Sequence, residues 1–149
     1  MKRFAAVPLL TLLVLCGCGK PESKFVGKYE GKVTMSNETL DEIMKIGKQL
    51  GRSDEEIEKG ISEARVGLEL MNEGKATVWS SSDGKEERNA ATWVLSEDEK
   101  TITVTFDPSV GLAGTPANEM LLVVSDGGRA LSFTRDMPPF KVDVVYTRK

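Results

Sequence analysis

Thr101-Ile102-Thr103-Val104-Thr105-Phe106 decides the fold. Three threonines alternate with three large apolar residues, the period-two pattern of a strand with one dry face and one wet face. Upstream, Ala91, Trp93 and Leu95 repeat the pattern before the polar turn Ser96-Glu97-Asp98-Glu99. Ser80-Ser81-Ser82-Asp83-Gly84 ends in Asp-Gly, a strong hairpin signal. Before it come Ala76-Thr77-Val78-Trp79, the turn Asn72-Glu73-Gly74, and Val66, Leu68 and Leu70 alternating with polar neighbours. Downstream, Asp107 to Asn118 reads as a long loop with Pro108, Gly111, Gly114 and Pro116. Met120 to Val124 is a continuous apolar run, which predicts a strand more buried than its neighbours. Asp126-Gly127-Gly128 turns into Leu131 to Arg135, and Pro138-Pro139 separates that run from Val142, Val144 and Tyr146.

Another strand lies nearer the start, with Phe25, Tyr29, Val33 and Met35 on one face and Lys28, Glu30, Lys32 and Thr34 on the other. Two helices should follow it. Thr39-Leu40-Asp41-Glu42 and Ser53-Asp54-Glu55-Glu56 both read as capping boxes. Leu40, Ile43, Met44 and Leu50, then Ile57, Ile61 and Ala64, supply the apolar faces. The expected fold is mainly β: an antiparallel up-and-down meander of about eight strands with two short helices between strands 1 and 2. Closing the meander into a barrel removes its edges; an open sheet or a sandwich is the competing layout. The helices should cover one end as a plug or lid.

The N-terminus carries an address. Met1-Lys2-Arg3 is followed by an apolar stretch from Phe4 to Leu15, the shape of an export signal too short to span a bilayer. Leu15-Cys16-Gly17-Cys18 resembles the lipobox of bacterial lipoproteins, with Cys16 where a smaller residue or Ser/Thr is usual. That resemblance implies cleavage before Cys18, diacylglycerol on its thiol and acylation of the new amino group. It divides the chain into a signal peptide (1–17), a lipidated Cys18 with a polar tether (18–24), and one β-rich domain (25–149). It also implies a location in the cell envelope. Gly19 rather than Asp after the cysteine favours an outer membrane if the organism has one.

Gly27-Lys28-Tyr29 resembles the Gly-x-Trp opening of the lipocalin and fatty-acid-binding-protein superfamily, with Tyr for Trp. Phe25 to Tyr29 and then Asn37 to Lys45 are similar to the way fatty-acid-binding proteins begin. In that family two short helices form a lid over a ligand cavity. The family has ten strands and an Arg-x-Tyr carboxylate clamp near its end; here Tyr146-Thr147-Arg148 reverses the order, so no ligand residue carries over. Small bacterial lipoproteins with lipocalin-like barrels are the nearer resemblance.

Composition narrows the chemistry. The net charge of −3, made more acidic by loss of Lys2 and Arg3, argues against a nucleic-acid partner. Histidine is absent and both cysteines lie in the lipobox, so Ser-His and Cys-His catalysis and a disulfide in the exported domain are all excluded. Serines 80 to 82 lack a nucleophile motif, and the acidic groups at 54–58, 86–87 and 97–99 sit at a helix start or beside turns. The reading is a non-enzyme without cofactor or metal, a His-independent hydrolase being the exception. Its partners are the membrane, through Cys18, and either a small apolar or amphipathic ligand in the barrel or another envelope protein. In the second case the core is solid and an outer apolar patch does the work. Candidate ligand contacts are Arg135, sharing a face with Leu131 and Phe133, and the aromatic Trp79 and Trp93, for which a core role is the plainer reading.

Overall fold

The computed structural model describes residues 20–82, 84–107 and 118–149. The export signal, Cys18, and Val110 and Leu112 of the long loop lie outside the described residues. Eight strands form one closed antiparallel barrel in simple sequence order. They are β1 (Gly27–Met35), β2 (Arg65–Leu70), β3 (Lys75–Ser82), β4 (Lys85–Leu95), β5 (Thr101–Phe106), β6 (Glu119–Ser125), β7 (Ala130–Met137) and β8 (Phe140–Arg148). β1 closes the ring, pairing Gly27–Gly31 with β2 and Tyr29–Met35 with β8. Helices α1 (Asn37–Gln49) and α2 (Asp54–Glu63) interrupt β1 and β2, as the capping signals predict.

The alternation of β5 is realised in full: Ile102, Val104 and Phe106 are buried and the three threonines half-exposed. β6 differs from expectation. Met120 and Leu122 point inward, whereas Leu121 and Val123 are 56% and 50% exposed. A barrel strand has one dry face only, so an unbroken apolar run must place part of itself outside. Val94 of β4 and Val145 of β8 join those two residues on the outer surface. With Thr103 paired to both Val94 and Leu121, they make an uncharged stripe across the wall.

The two ends of the barrel are unlike. At one end lie the β2–β3, β4–β5 and β6–β7 turns, and Phe25, 1% exposed, fills the ring from below. Residues Pro21–Lys24, expected as free tether, form a single 3-10 turn against this end. The Arg148 guanidinium donates to the carbonyls of Lys24 (2.7 Å) and Val26 (2.6 Å), and Lys24 pairs with Glu99. The Tyr29 hydroxyl donates to the carbonyls of Phe25 (2.8 Å) and Gly128 (3.2 Å). Burial raises the pKa of that phenol, and the nearby Arg148 charge offsets part of the rise. Leu68, Leu70, Trp93, Ile102, Leu122 and Leu131 complete a packed closed half.

The helices belong to the other end, and their caps refine the sequence reading. α2 starts with the capping box Ser53–Glu56, whose backbone bond from Ser53 holds the Glu56 carboxyl below the usual range. α1 starts one turn earlier than expected: Ser36, not Thr39, is the N-cap, and its Oγ accepts from the Thr39 N–H at 3.2 Å. Thr39 is fully buried and does tertiary work instead. Its hydroxyl accepts from the Lys141 N–H (2.7 Å) and donates to the Lys141 carbonyl (3.1 Å), fixing α1 to β8. The helices meet where Ile57 packs on Gly47, a contact with no room for a methyl on that glycine. The pair leans on β8 and β3. Among the described residues no helix is long and apolar enough to cross a membrane.

Candidate functional site

The open half of the barrel holds a cavity of about 380 Å³. Its size falls within the few-hundred-Å³ range of small-molecule pockets. The apolar part of its wall comes from Val66, Val78, Phe106, Met120, Phe133 and Val144, all inward by strand alternation. The helices contribute no residue to this wall; they pack on β8 and β3 instead.

β6 and β7 explain why the cavity is open. Their register contains only three residue pairs, Val123–Ser132, Val124–Leu131 and Ser125–Ala130. Beyond these the two strands part, with Glu119 and Met120 on one side and Phe133 to Asp136 on the other, all of them bordering the cavity. β7 keeps its full pairing with β8 up to Met137–Phe140, so it is held rigidly on one edge while its other edge faces the gap.

Ser80, Asn89, Arg135 and Tyr146 are polar residues at inward strand positions, and Glu119, Thr134 and Asp136, at outward positions, also border the space. Arg135 is held at the rim by its pairing with Val142. Its guanidinium makes one contact among the described residues, to the Met137 sulfur at 3.7 Å, and no ion pair. Tyr146 is 3% exposed, its hydroxyl makes no hydrogen bond among the described residues, and burial pushes its pKa up to about 12. A neutral phenol is therefore presented to the cavity at any ordinary pH. A guanidinium with no ion pair among the described residues, beside an apolar pocket, is suited to a carboxylate, sulfate or phosphate group carried on an apolar body.

The two tryptophans have other tasks. Trp93 is buried in the closed half, and its indole N–H donates to the Met71 carbonyl at 2.8 Å. Trp79 belongs to the cavity wall, but its ring sits on the outer surface. There it covers Gly67 of β2, where an added methyl would overlap the indole. Arg148, on the face of Tyr146, secures the N-terminal turn at the far end. Asn89 and Ser80 were missed in the sequence, because a lone polar residue at an inward position is visible only once the strand register is known.

No protein-family model and no curated protein matches the chain. Solved structures with a similar course of chain include As-p18, an extracellular fatty acid binding protein, at 15% identity over 85% of this chain and 97% of that one, TM-score 0.47. A Schistosoma mansoni fatty acid binding protein in complex with arachidonic acid follows, at 17% identity over 87% and 98% of the two chains, TM-score 0.43. Echinococcus granulosus fatty-acid-binding protein 1 is 14% identical over 85% and 98%, TM-score 0.39. These likenesses are of architecture; the ligand chemistry rests on the cavity itself.

Proposed function

We propose that this chain is a lipid-anchored protein of the bacterial cell envelope whose barrel carries one small single-chain amphipathic molecule. The observation that carries the reading is an apolar cavity of about 380 Å³ with Arg135, which makes no ion pair among the described residues, at its rim. An engineered apolar cavity of about 150 Å³ holds one benzene, so this space suits about ten to fifteen non-hydrogen atoms. That range fits one short chain and is too small for a diacyl lipid. The polar end lies at the mouth with Arg135, and the apolar end among Val78, Met120, Phe133 and Val144. Cys18, as the first residue of the processed protein, supplies the anchor. Two or three acyl chains there hold stably where one would not. The outer membrane is the proposed address in an organism that has one.

The test is native mass spectrometry of residues 20–149, with decanoate and decanol as probes. A bound mass of a few hundred daltons after gentle purification, or binding of added decanoate, is expected. Arg135→Met should weaken decanoate about tenfold to a hundredfold, the range of a charged hydrogen bond, and leave decanol unchanged. A clean unliganded mass with no decanoate binding would turn the reading toward a protein partner. The observation favouring that second reading is the stripe of Val94, Leu121, Val123 and Val145 on the outer wall.

A further inference from the structure

The chain enters the barrel at one end and the cavity opens at the other. We infer that the protein stands on its membrane closed end down, with the mouth held off the bilayer, so that ligand enters and leaves on the side away from the anchoring membrane. The inference rests on the reading of Cys18 as the lipidated anchor; the polarity itself comes from the barrel.

Only Gly19 and Lys20 separate Cys18 from Pro21. Fully extended, the three steps from Cys18 to Pro21 cover about 10 Å. From Pro21 onward the chain is not free. Ser23 and Phe25 donate their N–H groups back to Lys20 and Glu22, Lys24 pairs with Glu99, and Arg148 binds the carbonyls on both sides of the buried Phe25. The tether is therefore tied to the ring of turns formed by Asn72–Gly74, Ser96–Lys100 and Asp126–Gly128.

The mouth lies a full strand length away. β1 runs nine residues from Gly27 to Met35. At about 3.3 Å per residue and a tilt of about 40°, the strand lifts its far end roughly 20–25 Å above its start. Ser80, Asn89 and Arg135, which border the cavity, sit at that far end, near the Ser82–Lys85 and Met137–Phe140 hairpin ends. A tether of about 10 Å fixed at the closed end is too short to turn the barrel over and bring them to the lipid.

Fluorescence energy transfer tests the orientation on the full-length, lipidated protein in vesicles that carry an acceptor on a lipid headgroup. Acylation blocks Cys18, and Cys16 leaves with the signal peptide, so one added cysteine gives one label. Glu97→Cys marks a turn at the closed end and Lys85→Cys marks the hairpin at the mouth; both residues are exposed. The expected result is strong transfer from position 97 and transfer several-fold weaker from position 85. Equal or reversed transfer from protein whose mass shows acyl chains on Cys18 overturns the orientation and leaves the anchor intact. A mature mass without acyl chains removes the anchor reading and this inference together.

Discussion

The Arg148 guanidinium donates to the Val26 carbonyl at 2.6 Å, joining the last strand to residues just ahead of the first. The same group reaches Lys24 O, so one side chain holds both sides of Phe25 in place. Hydrogen bonds from a charged donor are worth about 1.5–3 kcal/mol each when well buried, and less here because Arg148 is exposed. Arg148→Ala should lower stability by about 1–2 kcal/mol in urea denaturation and open residues 20–25 to proteolysis, with the cavity unaltered. Unchanged protection of that segment would show that the buried Phe25, the Tyr29 hydroxyl and the Lys24–Glu99 pair hold the closed end without Arg148.

Thr39 links α1 to the last hairpin through two hydrogen bonds with one residue, Lys141. Thr39→Val keeps the shape but strands the Lys141 N–H, while the Lys141 carbonyl keeps the Ser36 N–H as a donor at 3.4 Å. Leaving a buried group unpaired costs about 1–3 kcal/mol. The loss should appear as faster hydrogen exchange in α1 and at Lys141, with the closed half of the barrel unaffected.

The strands were legible because alternation is a local signal. Thr101 to Phe106 announces its register in six residues, and the turns at Asn72–Gly74 and Asp126–Gly128 carry Gly where the backbone takes a positive φ. β6 is not more buried than its neighbours, although its apolar run predicts that, because a sequence reports how apolar a run is, not how many sides of it a barrel covers. Thr39 was misread as a cap because Ser36 offers the same chemistry three residues earlier, and only the contact with Lys141 separates them. Arg135 was found through the face it shares with Leu131 and Phe133. Whether a cavity lies beside it stays open in the sequence, because the cavity arises where β6 and β7 part, and strand divergence leaves no mark on either strand alone.

The Trp79 ring occupies the space that a side chain on Gly67 would need. Gly67→Ala should therefore cost about 1–3 kcal/mol by overpacking and shift Trp79 fluorescence toward that of a solvated indole. In a Trp79→Ala background the same glycine substitution should cost almost nothing, because the obstruction has gone. The two changes are neighbours and should not add. Additive losses in the double variant would mean that Gly67 is required for its backbone rather than for the indole.

Tyr146 lets pH report on the cavity. Burial raises its pKa from 10.0 to about 12, so the folded protein keeps a proton that the unfolded chain releases near 10. Between those values the unfolded state binds fewer protons, and stability falls as pH rises; below pH 10 the contribution is fully present. The fall should amount to about 2 kcal/mol. Tyr146→Phe keeps the ring and should remove that part of the slope. Tyr29 and Tyr146 are the only tyrosines in the sequence, so tyrosinate absorbance reads them without background, and both should titrate above 10. A ligand in the cavity displaces water from the Tyr146 hydroxyl, and an anionic one adds a negative charge nearby; both effects disfavour the phenolate. Saturation with decanoate should therefore move the Tyr146 titration further up and leave that of Tyr29, at the closed end, where it was. A titration unmoved by saturating decanoate would place the bound molecule outside the barrel.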